Sequence, residues 1–151
     1  MIFRVAFASM NIDPAPILYK LGQIEVLQEQ CNPQSILDGR GAIRSWIPKE
    51  PIREFTLLDF QRGKIRGNHF HPEFVEYFLV IRGLVAIHTF DKVKNVPILK
   101  IASDGFCFRT PIGVPHAVEA IDRSTCISLI TKPWDECSKP IIYEAIRESG
   151  S

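Results

Sequence analysis

The stretch from Gly63 to Gly83, which reads GKIRGNHFHPEFVEYFLVIRG, decides how this chain folds and where its chemistry lies. Successive side chains of a β-strand point to opposite faces, so His69 and His71 project to the same side and both imidazoles can reach one ion. A strand-breaking proline follows them. Glu76 then begins a second strand, from which its carboxylate can enter the same site.

Around this stretch the chain divides into short apolar runs, separated by turns that contain Gly, Asp, Asn or Pro. The runs are rich in β-branched and aromatic residues. The predicted strands are Phe55–Phe60, Val75–Ile81, Leu84–Phe90, Val96–Ile101, Phe106–Phe108, His116–Ile121 and Cys126–Thr131. Closely spaced strands without an intervening helical pattern indicate an all-β fold, a small antiparallel jelly-roll barrel.

His116 is a fourth candidate ligand, because it opens a later strand after the turn Pro111–Pro115. Three neutral imidazoles and one carboxylate suit a first-row divalent ion and leave coordination positions open for water or substrate. In the alternative, hydrogen bonds satisfy the histidines and Glu76 pairs with Arg66 or Arg82. We favour a metal centre, since a barrel interior rarely holds four polar groups without an ion or ligand.

These residues resemble the two motifs of the cupins. The first motif, G-x5-H-x-H-x4-E-x6-G, is matched at every fixed position by Gly63, His69, His71, Glu76 and Gly83. The second, G-x5-P-x-G-x2-H-x3-N, is matched by Gly105, Pro111, Gly113 and His116. Ala120 replaces its final asparagine, which is not a metal ligand in the family. The resemblance implies a jelly-roll barrel that holds one divalent transition metal (Zn, Fe, Mn or Ni) through His69, His71, Glu76 and His116.

A narrower resemblance concerns cupins that act on nucleotide-linked sugars. Asp38–Gly41, Arg44–Trp46 and Lys64–His71 look like the D-x-R-G and R/K-G-x-H-x-H features of deoxysugar epimerases, ketoisomerases and the cupin domains of capsular-polysaccharide enzymes. The metal-free members of that group lack this ligand set, whereas the capsular type is similar to this chain in keeping it. The resemblance implies an isomerase or epimerase of a carbonyl-bearing, nucleotide-linked sugar in polysaccharide biosynthesis.

Further polar side chains are candidates for substrate contact and proton transfer. Three arginines are predicted to bind an anionic group of the substrate: Arg66, Arg82 and Arg109. His88 and Tyr77 are the candidate catalytic residues, although a structural role suits each of them too. Glu119 is predicted to point away from the face of His116 and is left out of the site.

Three functions are compatible with this set of residues. In the first, a metal polarises a sugar carbonyl and a base moves the proton of the adjacent carbon, the base being His88, Tyr77 or a metal-bound hydroxide. The second is an iron-dependent dioxygenase of a small organic substrate. The third is a cupin that binds a small ligand without turnover. The sequence has no Gly-rich phosphate loop and no Ser-His-Asp arrangement, which disfavours nucleotide hydrolysis and serine-type acyl transfer.

The composition is that of an ordinary globular protein, with 151 residues, of which 46% are hydrophobic and 23% charged. Eighteen basic and 17 acidic residues give a net charge of +1, so no net field attracts nucleic acid or an anionic membrane. No apolar segment approaches the length of a bilayer span, and we find no export signal. The cysteines (Cys31, Cys107, Cys126 and Cys137) form no C-x-x-C pair, so we expect free thiols in a cytoplasmic protein.

The chain is predicted to form one barrel with two arms. Residues 1–50, which hold plausible strands near Ile17–Val26 and Ala42–Trp46, are predicted to pack on the barrel or to swap between barrels. Residues 51–132 form the barrel, and residues 133–151 form a tail with a short helix at Ile141–Arg147. We expect a homodimer, because open barrel edges need covering by such an arm.

Overall fold

Two antiparallel sheets face each other in the computed structural model, which describes residues 13–30 and 37–147. The order in the six-stranded sheet is β1 (Ile17–Leu21), β2 (Ile24–Leu27), β10 (Cys107–Thr110), β7 (Glu76–Arg82), β12 (Ser124–Ile130) and β5 (Glu54–Phe60). The order in the five-stranded sheet is β13 (Ile142–Tyr143), β6 (Ile65–Phe70), β11 (His116–Ala120), β8 (Leu84–Asp91) and β9 (Val96–Ser103). A small hairpin pairs β3 (Leu37–Asp38) with β4 (Gly41–Ala42). This is the predicted all-β jelly roll.

The space between the sheets is filled by side chains from alternate strand positions, as period-two patterning requires. Its largest fully buried rings are Phe60, Phe74 and Phe108. Phe108 stacks on Phe78 with ring centroids 5.1 Å apart. Phe60 and Phe78 belong to this core and also line the cavity described below, so the core forms part of the cavity wall.

All seven predicted strands from Phe55 onward are present, with shifts of one or two residues at their ends. The predicted strand Ile17–Val26 is instead a hairpin of β1 and β2, turning at Gly22, whose φ of 59° is left-handed. The prediction of a strand over Ala42–Trp46 is wrong beyond Ala42. The β2 strand pairs with β10, so this part of the predicted arm lies in the barrel sheet. Swapping between barrels stays a prediction.

The predicted C-terminal helix at Ile141–Arg147 is wrong. Among the described residues there is no α-helix, and this segment contributes β13, which pairs with β6. A seven-residue helix has little intrinsic stability, whereas the edge of β6 offers backbone partners to an extended chain. Within residues 133–147, the described part of the tail, the helical content is one 3₁₀ turn, Trp134–Glu136.

The cysteines in the described part of the chain are free thiols, as predicted. Cys107 and Cys126 are buried, and burial raises the pKa of each thiol to about 12. Cys137 is half-buried. Cys31 lies outside the described residues. No helix in the described ranges has the length and apolar character needed to cross a membrane.

Candidate metal centre

The four predicted ligands meet in one cavity of about 530 Å³. His69 lies on β6, His71 directly follows that strand, and Glu76 and His116 are the first residues of β7 and β11. His69 and His116 are partners in the β6–β11 register. Ligand nitrogen atoms of the three histidines all lie within 4.8 Å of one another. The pairing of the strands therefore brings four side chains from β6, β7 and β11 into one cavity.

The Glu76 carboxylate contacts two of these three histidines. Its Oε2 lies 3.2 Å from His71 Nε2 and 3.1 Å from His116 Nε2. Its Oε1 accepts a hydrogen bond from the hydroxyl of Ser128 on β12. His71, Glu76 and His116 are 4%, 7% and 4% exposed, so their polar atoms are removed from bulk water.

The outer nitrogens of two imidazoles are held by backbone carbonyls. His71 Nδ1 lies 3.0 Å from the oxygen of Pro140, and His116 Nδ1 lies 3.1 Å from that of Val114. A carbonyl oxygen only accepts, so each Nδ1 carries a hydrogen and Nε2 is the ring atom that faces Glu76. A positive charge, from a proton on Nε2 or from a metal ion, stabilises the carboxylate beside these two nitrogens. Three imidazoles and a carboxylate, with carbonyls fixing the tautomers, fit a first-row divalent ion.

The pKa shifts in the cluster show that the ionised Glu76 favours positive charge beside it. Burial and the neighbouring His116 and His71 lower the pKa of His69 to about 4, so this ring is neutral at pH 7. Burial by itself raises the pKa of Glu76, but hydrogen bonds with His116 and His71 hold it well below its ordinary value. Burial opposes the charged form of His116, yet Glu76 outweighs that effect and raises its pKa. The ionised Glu76 thus attracts positive charge to this point.

The remaining cavity wall is aromatic with a few polar groups. Phe74 stacks on the His71 ring at 4.3 Å, and the guanidinium of Arg66 lies 5.4 Å above the Phe60 ring. Arg66 lines the cavity, as predicted from its position beside Gly67. Six further polar or aromatic side chains of this wall are absent from the predicted site: Glu54, Thr56, Phe78, Ser128, Trp134 and Tyr143. The alternation of the predicted strands contained the signal for Glu54 and Ser128, whereas the tail pattern contained none for Tyr143.

The structure does not bring Tyr77 or Arg109 to the cavity. Tyr77 follows Glu76 on β7 and points to the outer face of the six-stranded sheet, where its hydroxyl donates to Glu50 and accepts from the Lys49 N–H at 2.8 Å. Arg109 forms ion pairs with Glu25, at 2.8 Å, and with Glu50. Tyr77 and Arg109 therefore hold the segment around Glu50 against the outer face of the sheet. Tyr77 cannot face the cavity, because its neighbour Glu76 does and successive residues on a strand face opposite sides.

His88 and Arg82 also lie away from the cavity lining. His88 points to the outer face of the five-stranded sheet, where its Nε2 lies 2.9 Å from the carboxylate of Glu119. Glu119 also pairs with Arg147 at 3.4 Å and does not line the cavity, in agreement with its predicted orientation. Arg82 is an exposed residue at the end of β7. A catalytic base therefore has to be sought among other residues.

The Arg109→Ala variant is expected to lose about 3 kcal/mol of unfolding free energy, because Glu25 and Glu50 would keep their charges without a partner. Arg109 is 12% exposed in this network. The matched control is Arg53→Ala, whose ion pair with Glu136 is about half exposed and should cost under about 1 kcal/mol. Urea denaturation of both variants measures the difference, and equal costs would contradict a structural role for the network.

Acid should weaken the same network. Burial raises the pKa of Glu50, but hydrogen bonds from Arg109 and Tyr77 outweigh it and lower the pKa below the ordinary value of 4.5. The stabilisation is thus complete above pH 4.5 and is lost as pH falls through the lower pKa of the folded state. The stability gap between wild type and Arg109→Ala should narrow over that acid range.

The fold has been seen in solved structures of low sequence identity. The capsular polysaccharide assembling protein CapF from Staphylococcus aureus is 23% identical over 74% of this chain, with a TM-score of 0.56. The QdtA 3,4-ketoisomerase from Thermoanaerobacterium thermosaccharolyticum, a double mutant in complex with TDP, is 17% identical over 82% of this chain and 88% of its own, with a TM-score of 0.64. NovW, a 4-keto-6-deoxy sugar epimerase from Streptomyces spheroides, is 20% identical over 84% of this chain and 75% of its own, with a TM-score of 0.65.

These likenesses establish a cupin fold for this chain, as its two motifs predicted. The neighbours include sugar epimerases and a ketoisomerase, so the narrower resemblance to nucleotide-sugar cupins is supported as well. The chain covers 32% of the CapF chain, about a third of its length. No protein-family model and no curated protein matches the sequence.

Proposed function

We propose that this protein is a metal-dependent cupin enzyme that isomerises or epimerises a carbonyl-bearing, nucleotide-linked sugar. The observation that carries the proposal is the cluster of three histidines within 4.8 Å of one another, two of which contact the Glu76 carboxylate, in a cavity that also contains Arg66. His69, His71, Glu76 and His116 would hold a single Zn, Fe, Mn or Ni ion. The structural neighbours that act on 4-keto sugars, or that were solved with TDP, support the substrate class.

The metal would supply Lewis-acid polarisation of the sugar carbonyl. The chain's own residues supply the remaining functions. Arg66 offers a guanidinium fork to an anionic group of the substrate, and the aromatic wall excludes water from the reacting carbon. Apart from Glu76, Glu54 is the one carboxylate among the described residues that line the cavity. Its Oε2 accepts a hydrogen bond from the backbone N–H of Trp134 at 2.7 Å. This leaves Oε1 as the atom that would accept the proton from the carbon next to the sugar carbonyl.

A second candidate function is an iron-dependent dioxygenase. The specific observation in its favour is the aromatic character of the wall, because Phe60, Phe74, Phe78 and Trp134 line the same cavity as the candidate metal centre. Such a wall suits an uncharged aromatic substrate. Arg66 favours the anionic sugar nucleotide instead, and we therefore rank the isomerase first. A cupin that binds a ligand without turnover is the third candidate.

Arg66→Lys is expected to weaken binding of a nucleotide sugar by about tenfold and to leave the metal content unchanged, because lysine keeps the charge and loses the bidentate fork. Calorimetric titration with a panel of dTDP-linked sugars measures this effect. Arg82→Lys is the matched control, since Arg82 is exposed and outside the cavity lining, and its affinity should stay at the wild-type value.

Two results would overturn the sugar assignment. One is an absence of binding by every nucleotide sugar tested. The other is consumption of an aromatic diol together with oxygen by the iron-loaded protein, which would replace the isomerase with the dioxygenase. Epimerisation is followed directly by deuterium incorporation from D₂O at the carbon next to the carbonyl.

The homodimer stays a prediction. The described surface offers a place for it on the outer face of the six-stranded sheet, where Phe55 and Leu57 of the edge strand β5 are 75% and 65% exposed. Ile81 on the same sheet is 42% exposed. A second copy that covered this face would remove large apolar side chains from water.

A further inference from the structure

The tail crosses the edge of the five-stranded sheet beside the candidate metal centre. We call residues 139–147 the C-terminal strap. Its strand β13 pairs with β6, with Ile142 opposite Phe70 and Tyr143 opposite His69. Ile141 and Tyr143 line the cavity. The strap is therefore one side wall of the cavity.

The strap also determines the orientation of one candidate ligand. The carbonyl oxygen of Pro140 lies 3.0 Å from His71 Nδ1. This contact fixes the tautomer of the ring and directs Nε2 at Glu76. Stacking on Phe74 restrains the plane of the ring but does not decide which nitrogen carries the hydrogen. The direction of the His71 lone pair thus depends on a backbone atom of the strap.

Hydrogen bonds, and not burial, fasten the strap to the barrel. None of residues 133–147 is buried. At the far end, the Asn68 side chain accepts the N–H groups of Ile146 and Arg147, at 2.9 and 2.8 Å, and donates to the Arg147 carbonyl at 2.7 Å. The backbone carbonyl of Asn68 accepts a hydrogen bond from the Glu144 backbone N–H at 2.8 Å. One asparagine, next to a candidate metal ligand, therefore fastens the end of the strap.

The near end has its own fastening. The carboxylate of Glu73 accepts the Lys139 N–H at 2.6 Å and pairs with Lys132 at 2.8 Å. Pro140, whose carbonyl holds His71, is the next residue after Lys139. Releasing Asn68 alone should open the wall around Tyr143, and releasing both ends should also free the His71 ring.

We propose that the strap is a gate with two fastenings, in which Asn68 and Glu73 are positioning residues that act on the cavity wall and on His71. Segments held by exposed hydrogen bonds open more readily than the core. When the strap opens, the cavity loses one side wall, and His71 loses the hydrogen bond from its Nδ1 to the Pro140 carbonyl that orients its ring. Opening therefore lets substrate enter and at the same time weakens the hold on the metal. The part of this inference that concerns metal release rests on the proposed function.

The test compares two double variants. Asn68→Gly with Glu73→Ala removes these two fastenings and leaves the part-exposed Arg147–Glu119 ion pair, which contributes little. Glycine keeps the left-handed φ of 55° that position 68 requires. Asn68→Asp with Glu73→Gln keeps an acceptor for every strap N–H that these side chains bind, and serves as the rescue. The control is Asn95→Gly, because Asn95 is the other non-glycine residue among those described with positive φ, 56°, and it lies in the β8–β9 turn.

Three readouts are expected to change together in the first double variant. Amide hydrogen exchange over residues 142–147 should accelerate, and the NMR signal of the His71 Nδ1 proton in metal-free protein should disappear through exchange with water. Loss of Ni²⁺ to excess EDTA should speed up by about tenfold, since several hydrogen bonds are removed. The control variant should keep wild-type values. The rescue pair should lie closer to wild type than the first double variant, because it keeps the N–H acceptors but loses the donor to the Arg147 carbonyl. Asn68→Gly alone should accelerate the exchange of residues 142–147 and change the His71 signal less.

Distinct outcomes separate the two proposals. Wild-type exchange rates in the first double variant would overturn the gate. Faster exchange with an unchanged His71 Nδ1 signal would overturn the positioning of His71. If wild-type protein binds no Ni²⁺ at all, the proposed metal function fails, while the metal-free exchange and NMR data still decide the gate. If the first double variant fails to fold, Asn68→Gly alone tests the opening of the wall through the exchange of residues 142–147, and Glu73→Ala alone tests the hold on His71 through its Nδ1 signal.

Discussion

We expect wild-type protein to bind one metal ion per chain and the double variant His71→Ala, His116→Ala to retain less than about a tenth of one. Both side chains direct Nε2 at Glu76 Oε2, at 3.2 and 3.1 Å, so the substitutions remove half of the candidate ligand set. Elemental analysis of protein purified without added metal, and again after dialysis against Zn²⁺, measures the occupancy. Full stoichiometric metal in the double variant would contradict the assignment of these ligands.

The matched control for this experiment is His88→Gln. The chain has four histidines, and His88 is the one outside the candidate ligand set. It is 7% exposed, so it matches His71 and His116 in burial, but it contacts Glu119 on the outer face of the sheet. Its substitution should leave the metal content at the wild-type value. Loss of metal in this variant as well would point to a general effect of disturbing buried histidines.

The Gly67→Ala substitution is expected to cost about 3 kcal/mol of unfolding free energy. Gly67 has a φ of 99°, and a Cβ at this position would lie 2.7 Å from the backbone oxygen of His116 and 3.0 Å from the Cα of Ala117. Both atoms belong to β11, so they can move away only if the β6–β11 ladder is disturbed. The same movement would displace His116 from Glu76 and weaken metal binding. Urea denaturation of the metal-free protein measures the first effect, and Zn²⁺ titration the second.

Gly63→Ala separates steric contact from backbone strain. Gly63 has a φ of 75°, but nothing lies within 4 Å of the position that its Cβ would take. Only the strain of a left-handed alanine remains, at a cost of about 1–2 kcal/mol, and metal affinity should not change. If the two variants are equally destabilised, close approach of β11 is not what requires glycine at position 67.

The ligand set was predictable from the sequence because it depends on short-range regularities. Alternation along a strand places His69 and His71 on one side, and the turn before His116 marks the start of another strand. The same alternation explains why Tyr77 cannot share the site of Glu76, its neighbour on β7. A one-residue step along a strand reverses the face, and the structure places the Tyr77 hydroxyl against Glu50 on the outer side. The sequence alone predicts that Tyr77 and Glu76 lie on opposite faces of β7. The structure was needed only to show which face each of them takes.

The sequence alone predicted the strands from Phe55 onward, their alternation and the four candidate ligand positions, because period-two patterning and turn residues act over a few positions. The tertiary structure decided what lies far apart along the chain: the pairing of β13 with β6, the hold of Pro140 on His71, and the enclosure of Arg109 by Glu25 and Glu50. A short tail pattern favours a helix in isolation. The free backbone edge of β6 and the side chain of Asn68 override that preference, since hydrogen bonds to an existing sheet need no helix nucleus.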